Sequence, residues 1–169
     1  SDIARETYLR ISGTEEQLSI AYHSSVREEE NITQQLCKML QENREDDIRL
    51  GMTSVGPHRD DLILMLDRNL MKQFASQGQV RTAALSMKLS QMKILRDDSG
   101  EDPVLLLDDV MSELDRKRRA SLINVIQSFQ TFITCADRED VDCEKVSKFW
   151  QFYTENGTAS RTETDKCFT

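Results

Sequence analysis

Residues 104–109 read VLLLDD, a short apolar run that closes on two adjacent carboxylates. An apolar strand ending this way sets its acids at the carboxyl edge of a sheet, where α/β proteins bind ligands. Beside a nucleotide phosphate the two acids have separate uses. Asp108 is placed to help hold Mg²⁺, and Asp109 to orient or deprotonate an attacking water, which is the Walker B pattern. The same residues also occur where a strand simply meets a turn, so the run alone does not choose between the two.

Two flanking stretches add to it. Ser112-Glu113-Leu114-Asp115 begins three residues after Asp109, and Ser76-Gln77-Gly78-Gln79 lies about thirty residues before it at the predicted start of a helix. A serine and a glycine at a helix N-terminus bring a hydroxyl, free backbone N–H groups and the positive end of the dipole to one spot. That combination suits a phosphate. Ser76 also reads as an ordinary N-cap, and the two roles are compatible.

Other groups carry weaker signals. Residues 56–61, GPHRDD, place His58 among acids as a base would be placed. The alternative is a Gly56-Pro57 turn, with Arg59 paired to Asp60 or Asp61 at the entry of a strand. Arg116-Lys117-Arg118-Arg119 is the densest basic run, either a solvated helix face or a contact to a DNA backbone. Lys72, Arg81, Lys88, Lys93 and Arg96 are a second basic set whose spacing does not put them on one face. The aromatics Phe149, Trp150, Phe152 and Tyr153 read as core and edge-strand packing rather than a platform for stacked bases.

Taken in order, GPHRDDL at 56–62, ASQGQ at 75–79 with Arg81-Thr82, LLLDDVMSELD at 105–115 and QTFIT at 130–134 resemble the RecF family of bacterial recombination mediators. This is an ABC-type ATPase family of the SMC-like branch. The resemblance covers about residues 50–157, and the order of the motifs makes it specific.

It implies that Ser76, Gln77, Gly78 and Gln79 are the ABC signature motif, which reads the γ-phosphate of ATP held by the other subunit of a dimer. Asp108 matches the Mg²⁺-associated acid and Asp109 the catalytic base, with an aspartate where most ABC ATPases carry the longer glutamate. Slow turnover is expected from that shorter reach. Ser112 and Asp115 match the D-loop, which crosses the dimer interface. Thr134 stands near the position of the usual switch histidine. The implied cofactors are ATP and Mg²⁺. The implied partners are a second subunit in an ATP-dependent homodimer, gapped or junction DNA, and mediator proteins of the RecO and RecR kinds, in repair, recombination, replication and the SOS response. Arg116, Lys117, Arg118 and Arg119 are the candidate DNA contacts. Two other readings stay open: another SMC-like repair ATPase, and a non-enzymatic DNA or partner scaffold with a degenerate ATP site.

No G-x-x-x-x-G-K-[ST] is present, since none of the six glycines precedes a lysine. The loop that cradles the β- and γ-phosphates lies, in this family, in an N-terminal lobe. The chain therefore reads as a C-terminal part, inactive as an ATPase by itself. It also begins with Ser1 rather than methionine, which fits a piece of something longer.

The elements that must hold these residues follow from periodicity. Residues 17–26 alternate as a strand, and 28–47 carry apolar residues at helical spacing up to Gly51. Strands at 62–66 and 70–74 flank a turn at 67–69. A helix at 79–96 is followed by a buried strand at 104–107, a basic helix at 116–128, and strands at 131–134 and 149–153. Asn156-Gly157 is a turn, and 158–169 a polar, frayed end. The order predicts an α/β fold with a parallel sheet, namely the C-terminal lobe of an ABC/SMC-like ATPase head of the P-loop NTPase superfamily. Residues 1–50 are expected to be the remainder of a helical arm and 51–169 the lobe.

Composition agrees with one folded piece of this kind. The chain has 169 residues, 38% of them hydrophobic, and only 8 Gly and Pro together, which excludes wholesale disorder. The net charge of −8 argues against general nucleic-acid affinity. It is uneven: −5 over residues 1–50, zero over 51–135 and −3 over 136–169. Cys37, Cys135, Cys143 and Cys167 form no C-x-x-C pair and no metal spacing, which predicts reduced thiols in a cytoplasmic protein. No apolar run approaches the roughly 20 residues that span a bilayer, so no membrane role is expected.

Overall fold

The computed structural model describes residues 2–26, 31–142, 146 and 148–162. The chain divides into two compact units. One is Leu18–Ala75, and the other joins Asp2–Gln17 to the chain from Ser76 onward. The division falls at 17/18 and 75/76 rather than at 50/51, because strands on either side of position 50 share one sheet.

In the first unit, β1 (Leu18–His23) runs antiparallel to β2 (Asp61–Leu66), with Leu18 opposite Leu66 and His23 opposite Asp61. Between them lie α2 (Ile32–Glu42) and α3 (Arg44–Leu50), numbered after the N-terminal α1 (Asp2–Ser12). The expected single helix over 28–47 is thus two. Asn43 (φ −93°, ψ 0°) interrupts it, and its Nδ2 donates to the Met39 carbonyl at 2.8 Å. An asparagine side chain that bonds the backbone competes with the helical ladder. Glu45, Asp46 and Asp47 then open a new first turn, where the dipole favours acids. Glu28, Glu29 and Glu30 lie outside the described residues.

The β2 strand turns through Asp67 (φ 49°) and Arg68 (φ 70°) into β3 (Asn69–Leu70). Two successive left-handed residues match the twist of a two-residue hairpin. The expected strand at 70–74 ends after Leu70, and α4 (Met71–Phe74) takes its place. Residues 71–74 hold no β-branched side chain and several good helix formers, and the helical turn buries Met71.

The second unit carries the chemistry. Its longest element is α5 (Gln77–Ser99), followed by β4 (Leu105–Asp108), α6 (Arg116–Ile126) and β5 (Thr131–Thr134). β4 and β5 pair in parallel, Leu105 opposite Thr131 and Asp108 opposite Thr134, as the α/β reading requires. Helix α1 packs against both α5 and α6. Leu89, Leu105, Leu107, Met111, Leu122 and Ile126 form the centre of the core. Along α5 the buried Thr82, Ser86 and Ser90 donate to the carbonyls of Gly78, Thr82 and Ser86 at 2.6–2.7 Å. Their hydroxyls are therefore satisfied inside their own helix, as buried polar groups must be.

Strand β4 is buried on one face only. Leu105 and Leu107 point into the core, whereas Leu106 is 72% exposed and its neighbour Phe132 on β5 is 58% exposed. The sheet described here has two strands with its core on one side, so the alternating residues face out.

Beyond it, β6 (Phe152–Glu155) and β7 (Thr158–Arg161) form an antiparallel hairpin. Its turn is Asn156 (φ 48°) and Gly157 (φ 76°), the strongest short hairpin signal in the chain. The pairing is symmetric about that turn, which moves the expected strand from 149–153 to 152–155 and makes 158–161 a strand rather than a frayed end. Trp150, Phe152 and Tyr153 are exposed, not core, and the Arg161 guanidinium lies 3.4 Å from the Trp150 ring centre. Among the described residues no helix is long and apolar enough to cross a membrane.

Candidate functional site

The two acids leave the sheet at the end of β4. Asp108 is the strand's last residue, and its Oδ1 accepts a hydrogen bond from the Thr134 hydroxyl at 2.5 Å. Asp109 has left the strand with φ 52°. Its N–H donates to both the carbonyl (3.2 Å) and the hydroxyl (3.1 Å) of Thr134. Ser112 closes the group, its hydroxyl donating to the Asp109 carbonyl at 2.8 Å. Four expected residues, Asp108, Asp109, Ser112 and Thr134, thus sit together at the carboxyl edge of the parallel pair.

Among the described residues no group of three or more His, Cys, Asp or Glu could hold a metal. A cation at this edge would take oxygen from Asp108 and the rest from phosphates and water. Mg²⁺ binds in that manner, with one or two carboxylates plus substrate phosphates.

Ser76 caps α5 with φ −67° and ψ 158°, and the cap is reciprocal. The Ser76 hydroxyl accepts from the Gln79 N–H at 3.3 Å, and Gln79 Oε1 accepts from the Ser76 N–H at 2.8 Å. This capping box uses the N–H groups of Ser76 and Gln79. Those of Gln77 and Gly78, at the first two helical positions, have no carbonyl to meet inside the helix. Ser76 and Gln77 are exposed; Gly78 and Gln79 are half-buried.

The 3-10 turn Met111–Glu113 and the N-cap Asp115 carry the chain from the acids into α6. Asp115 Oδ1 accepts from the Arg118 N–H at 3.0 Å, and its other oxygen lies 3.4 Å from Arg118 Nη1. The same Nη1 lies 2.6 Å from where a Cβ on Gly78 would stand, so only glycine leaves room for the guanidinium there. Arg81, one turn into α5, reaches Glu113 at 3.4 Å. Arg81 therefore ties the start of α5 to the segment after β4, and Arg118 packs beside it at Gly78.

This changes the reading of the basic run. Arg119 pairs with Asp140 at 2.5 Å, and its Nε donates to the Leu114 carbonyl at 2.8 Å. Arg118 is engaged as described. Arg116 and Lys117 are exposed, with the end of the Lys117 chain about 3.1 Å from a Cβ position at Gly13. The four residues form neither a plain solvated face nor a uniform basic patch.

In the first unit, GPHRDD forms a folded loop. Pro57–Arg59 is a 3-10 turn after Gly56, whose φ of 129° is a conformation that favours glycine. His58 Nε2 and Arg59 Nε both lie 3.0 Å from the Thr53 carbonyl, and Arg59 Nη2 lies 2.9 Å from the Met52 sulfur. Arg59 does not pair with either acid, contrary to expectation; the nearer acceptors of its own loop take it. Asp60 turns instead to β1. It accepts from the Ser25 N–H at 2.7 Å, the Ser24 hydroxyl at 3.4 Å and the Tyr22 hydroxyl. These bonds hold the Asp60 carboxyl below its ordinary value, the Ser25 N–H contributing most and Tyr22 next. Tyr22 is raised in turn, first by the bond to Asp60.

Comparison with known proteins bears on these positions. No family model matches the chain. The DNA replication and repair protein RecF of Lactobacillus delbrueckii subsp. bulgaricus is 44% identical over 161 residues, covering 91% of the chain and 42% of that protein. RecF of Clostridium perfringens is 41% identical over 138 residues, 82% of the chain and 38% of that protein. The chain belongs to the RecF family. It spans about two fifths of the length of these RecF relatives. A solved structure of the recombination mediator protein RecF with ATP, in the RecFOR pathway, superimposes with a TM-score of 0.71 at 36% identity, over 96% of the chain and 43% of that RecF. The RecF-ATPrS structure gives the same TM-score at 35% identity. The α/β fold is that of the ABC ATPase-like RecF.

Sequence reasoning missed the residues that join the motifs. Glu16, whose Oε1 accepts from Gln79 Nε2 at 2.6 Å, lies 63 positions from its partner. The contact between Arg118 and Gly78 is equally silent in sequence. Only the N-cap reading of Ser76 was visible.

Proposed function

We propose that this chain is the C-terminal part of a RecF-type recombination mediator and supplies the half of a composite ATP site that acts across a dimer interface. In this role Ser76, Gln77, Gly78 and Gln79 form the signature motif, Ser112 and Asp115 belong to the D-loop, and Asp108 and Asp109 are the cation-binding acid and the general base.

The observation that carries this reading is the close packing of the Arg118 guanidinium, itself paired with Asp115, against Gly78. Two segments that both act on a neighbouring subunit in ABC ATPases are held here as one surface. The start of α5 offers the N–H groups of Gln77 and Gly78 and the positive dipole end to an anion. Asp108, oriented by Thr134, offers a carboxylate oxygen to Mg²⁺. Asp109 is turned out of the strand with its backbone fixed on Thr134, which leaves its carboxylate to take a proton from water. When bound, ATP and Mg²⁺ supply the scissile phosphoanhydride and the positive charge that offsets its oxygens.

The relatives' names support a role in DNA replication, repair and recombination, and the rest is our reading. Closure over ATP drives dimerisation on gapped or junction DNA, hydrolysis releases it, and RecO- and RecR-type proteins receive the site in the cytoplasm. Arg116 and Lys117 are the remaining candidates for DNA-backbone contact, since Arg118 and Arg119 are held by acids of this chain.

The test uses the full-length protein that contains this chain. Asp108→Asn is expected to abolish phosphate release and to weaken ATP-dependent dimerisation in sedimentation. Ser76→Arg is expected to prevent dimerisation while ATP still binds the monomer. If Asp108→Asn leaves ATP-dependent DNA binding and dimerisation unchanged, the chain belongs to a scaffold with a degenerate ATP site.

A further inference from the structure

We infer that Glu16 is a positioning residue for the signature motif, acting through the amide orientation of Gln79; the inference rests on the reading of Ser76–Gln79 given above. Glu16 lies in the connection after α1, half-buried. Its Oε1 accepts from Gln79 Nε2 at 2.6 Å. Its Oε2 accepts from the Thr14 hydroxyl at 3.1 Å and the Tyr8 hydroxyl at 3.4 Å. Tyr8 is fully buried in α1, and Thr14 is bonded in turn to Ser12 at 3.0 Å. The carboxylate is thus anchored on both oxygens by groups that belong to a packed helix and its exit.

The chemistry of the pair sets a direction. A glutamate carboxylate is acceptor-only, and a glutamine amide has one donating and one accepting end. With Glu16 on one side, Gln79 must turn its NH₂ toward it. Its Oε1 then faces the Ser76 N–H, which it meets at 2.8 Å. The opposite amide orientation would set an oxygen against a carboxylate and an NH₂ against an N–H, losing both bonds. Glu16 therefore selects the orientation that completes the capping box, and the box fixes where Ser76 and the Gln77 and Gly78 N–H groups point. Without Glu16 the amide orientation is held by the Ser76 N–H alone, and the N-terminal turn is fixed less firmly.

The experiment is a mutant cycle in the full-length protein. Glu16→Ala and Gln79→Ala are each expected to raise, about tenfold, the ATP concentration needed for dimerisation, and Glu16→Ala to keep ATP binding to the monomer and the melting temperature within error of the parent. The double variant is expected to lose no more than Gln79→Ala alone, because that variant already removes the bond to Glu16. Glu16→Gln, which keeps an acceptor for the Gln79 NH₂, is expected to recover most of the loss. Additive losses in the double variant, or normal dimerisation of Glu16→Ala while Gln79→Ala and Ser76→Arg are impaired, overturn the role of Glu16 alone. Normal dimerisation of Ser76→Arg and Gln79→Ala overturns the signature reading and this inference with it. If Glu16→Ala lowers the melting temperature in step with dimerisation and Glu16→Gln does not recover it, Glu16 is structural only and the inference fails.

Discussion

The Thr134 hydroxyl donates to Asp108 across the parallel pair, from the last residue of one strand to the last residue of the other. The same hydroxyl accepts the N–H of Asp109. One side chain thus fixes the direction of the first acid and the backbone of the second. In a position expected for a γ-phosphate contact, Thr134 already has two duties toward the acids themselves.

Replacing Thr134 by valine keeps the shape and removes the hydroxyl. A hydrogen bond to a charged group contributes about 1.5–3 kcal/mol, and exposure at this edge places it near the lower figure. At about 1.4 kcal/mol per tenfold, Thr134→Val is expected to slow ATP hydrolysis by the full-length protein roughly tenfold. Thr134→Ser, which retains the donor, is expected to stay within about twofold. Equal rates for the parent and Thr134→Val would remove Thr134 from the site.

Gly78→Ala tests the joining of signature and D-loop. The added Cβ would meet Arg118 Nη1 at 2.6 Å, the mobile end of a long side chain. The guanidinium can swing away, giving up a half-buried 3.4 Å ion pair with Asp115. Alanine also favours a helix over glycine by up to about 1 kcal/mol. The melting temperature is therefore expected to hold or rise, while ATP-dependent dimerisation falls. Arg118→Ala in the same background is expected not to restore it. A variant that is less stable but dimerises normally would mean that Arg118 supports the fold rather than the surface.

The Tyr22–Asp60 pair gives a pH signature at a different place in the chain. The folded Asp60 carboxyl is held down, chiefly by the Ser25 N–H and then by Tyr22. A depressed acid adds stability above its ordinary value of 3.8, and that stability is lost as pH falls through the folded value. Tyr22 is raised by its bond to Asp60, so its share is present below the ordinary 10.0 and lost as pH rises through the folded value. In an NMR titration of the Asp60 carboxyl carbon, the midpoint is expected below 3.8. Tyr22→Phe is expected to move it up part of the way, since the Ser25 bond remains. No movement would show that Tyr22 does not act on the carboxyl.

What the sequence showed and what it hid divide along distance. The apolar run into Asp108 and Asp109, the Ser76 N-cap and the Asn156-Gly157 turn are local patterns, and each appears in place. The break at Asn43 was hidden because apolar spacing continues across it, while the Asn43 side chain bonds the backbone. Residues 71–74 look like a strand by hydropathy alone, yet none of them is β-branched and the burial of Met71 is met by a helical turn. The partners of the site were harder still. Glu16 approaches Gln79, and Arg118 approaches Gly78, only because α1, α5 and α6 pack together. No spacing in a single sequence records that.

Asp109 shows why the shorter acid suits its position. Its φ of 52° is left-handed, a region that aspartate and asparagine enter more readily than other side chains. The backbone is held there by two acceptors on Thr134 and by the Ser112 hydroxyl on its own carbonyl. Asp109→Asn preserves shape and conformational preference but cannot take a proton. It is expected to melt with the parent and to lose about 10²-fold or more of the hydrolysis rate, the scale of a general base. Asp109→Glu keeps a base and adds one methylene of reach, but pays a left-handed penalty of about 1 kcal/mol. It is expected to lower stability by that amount while hydrolysis persists. Comparing melting and phosphate release for the two variants separates backbone from base. If Asp109→Asn hydrolyses ATP as the parent does, Asp109 has only the conformational role.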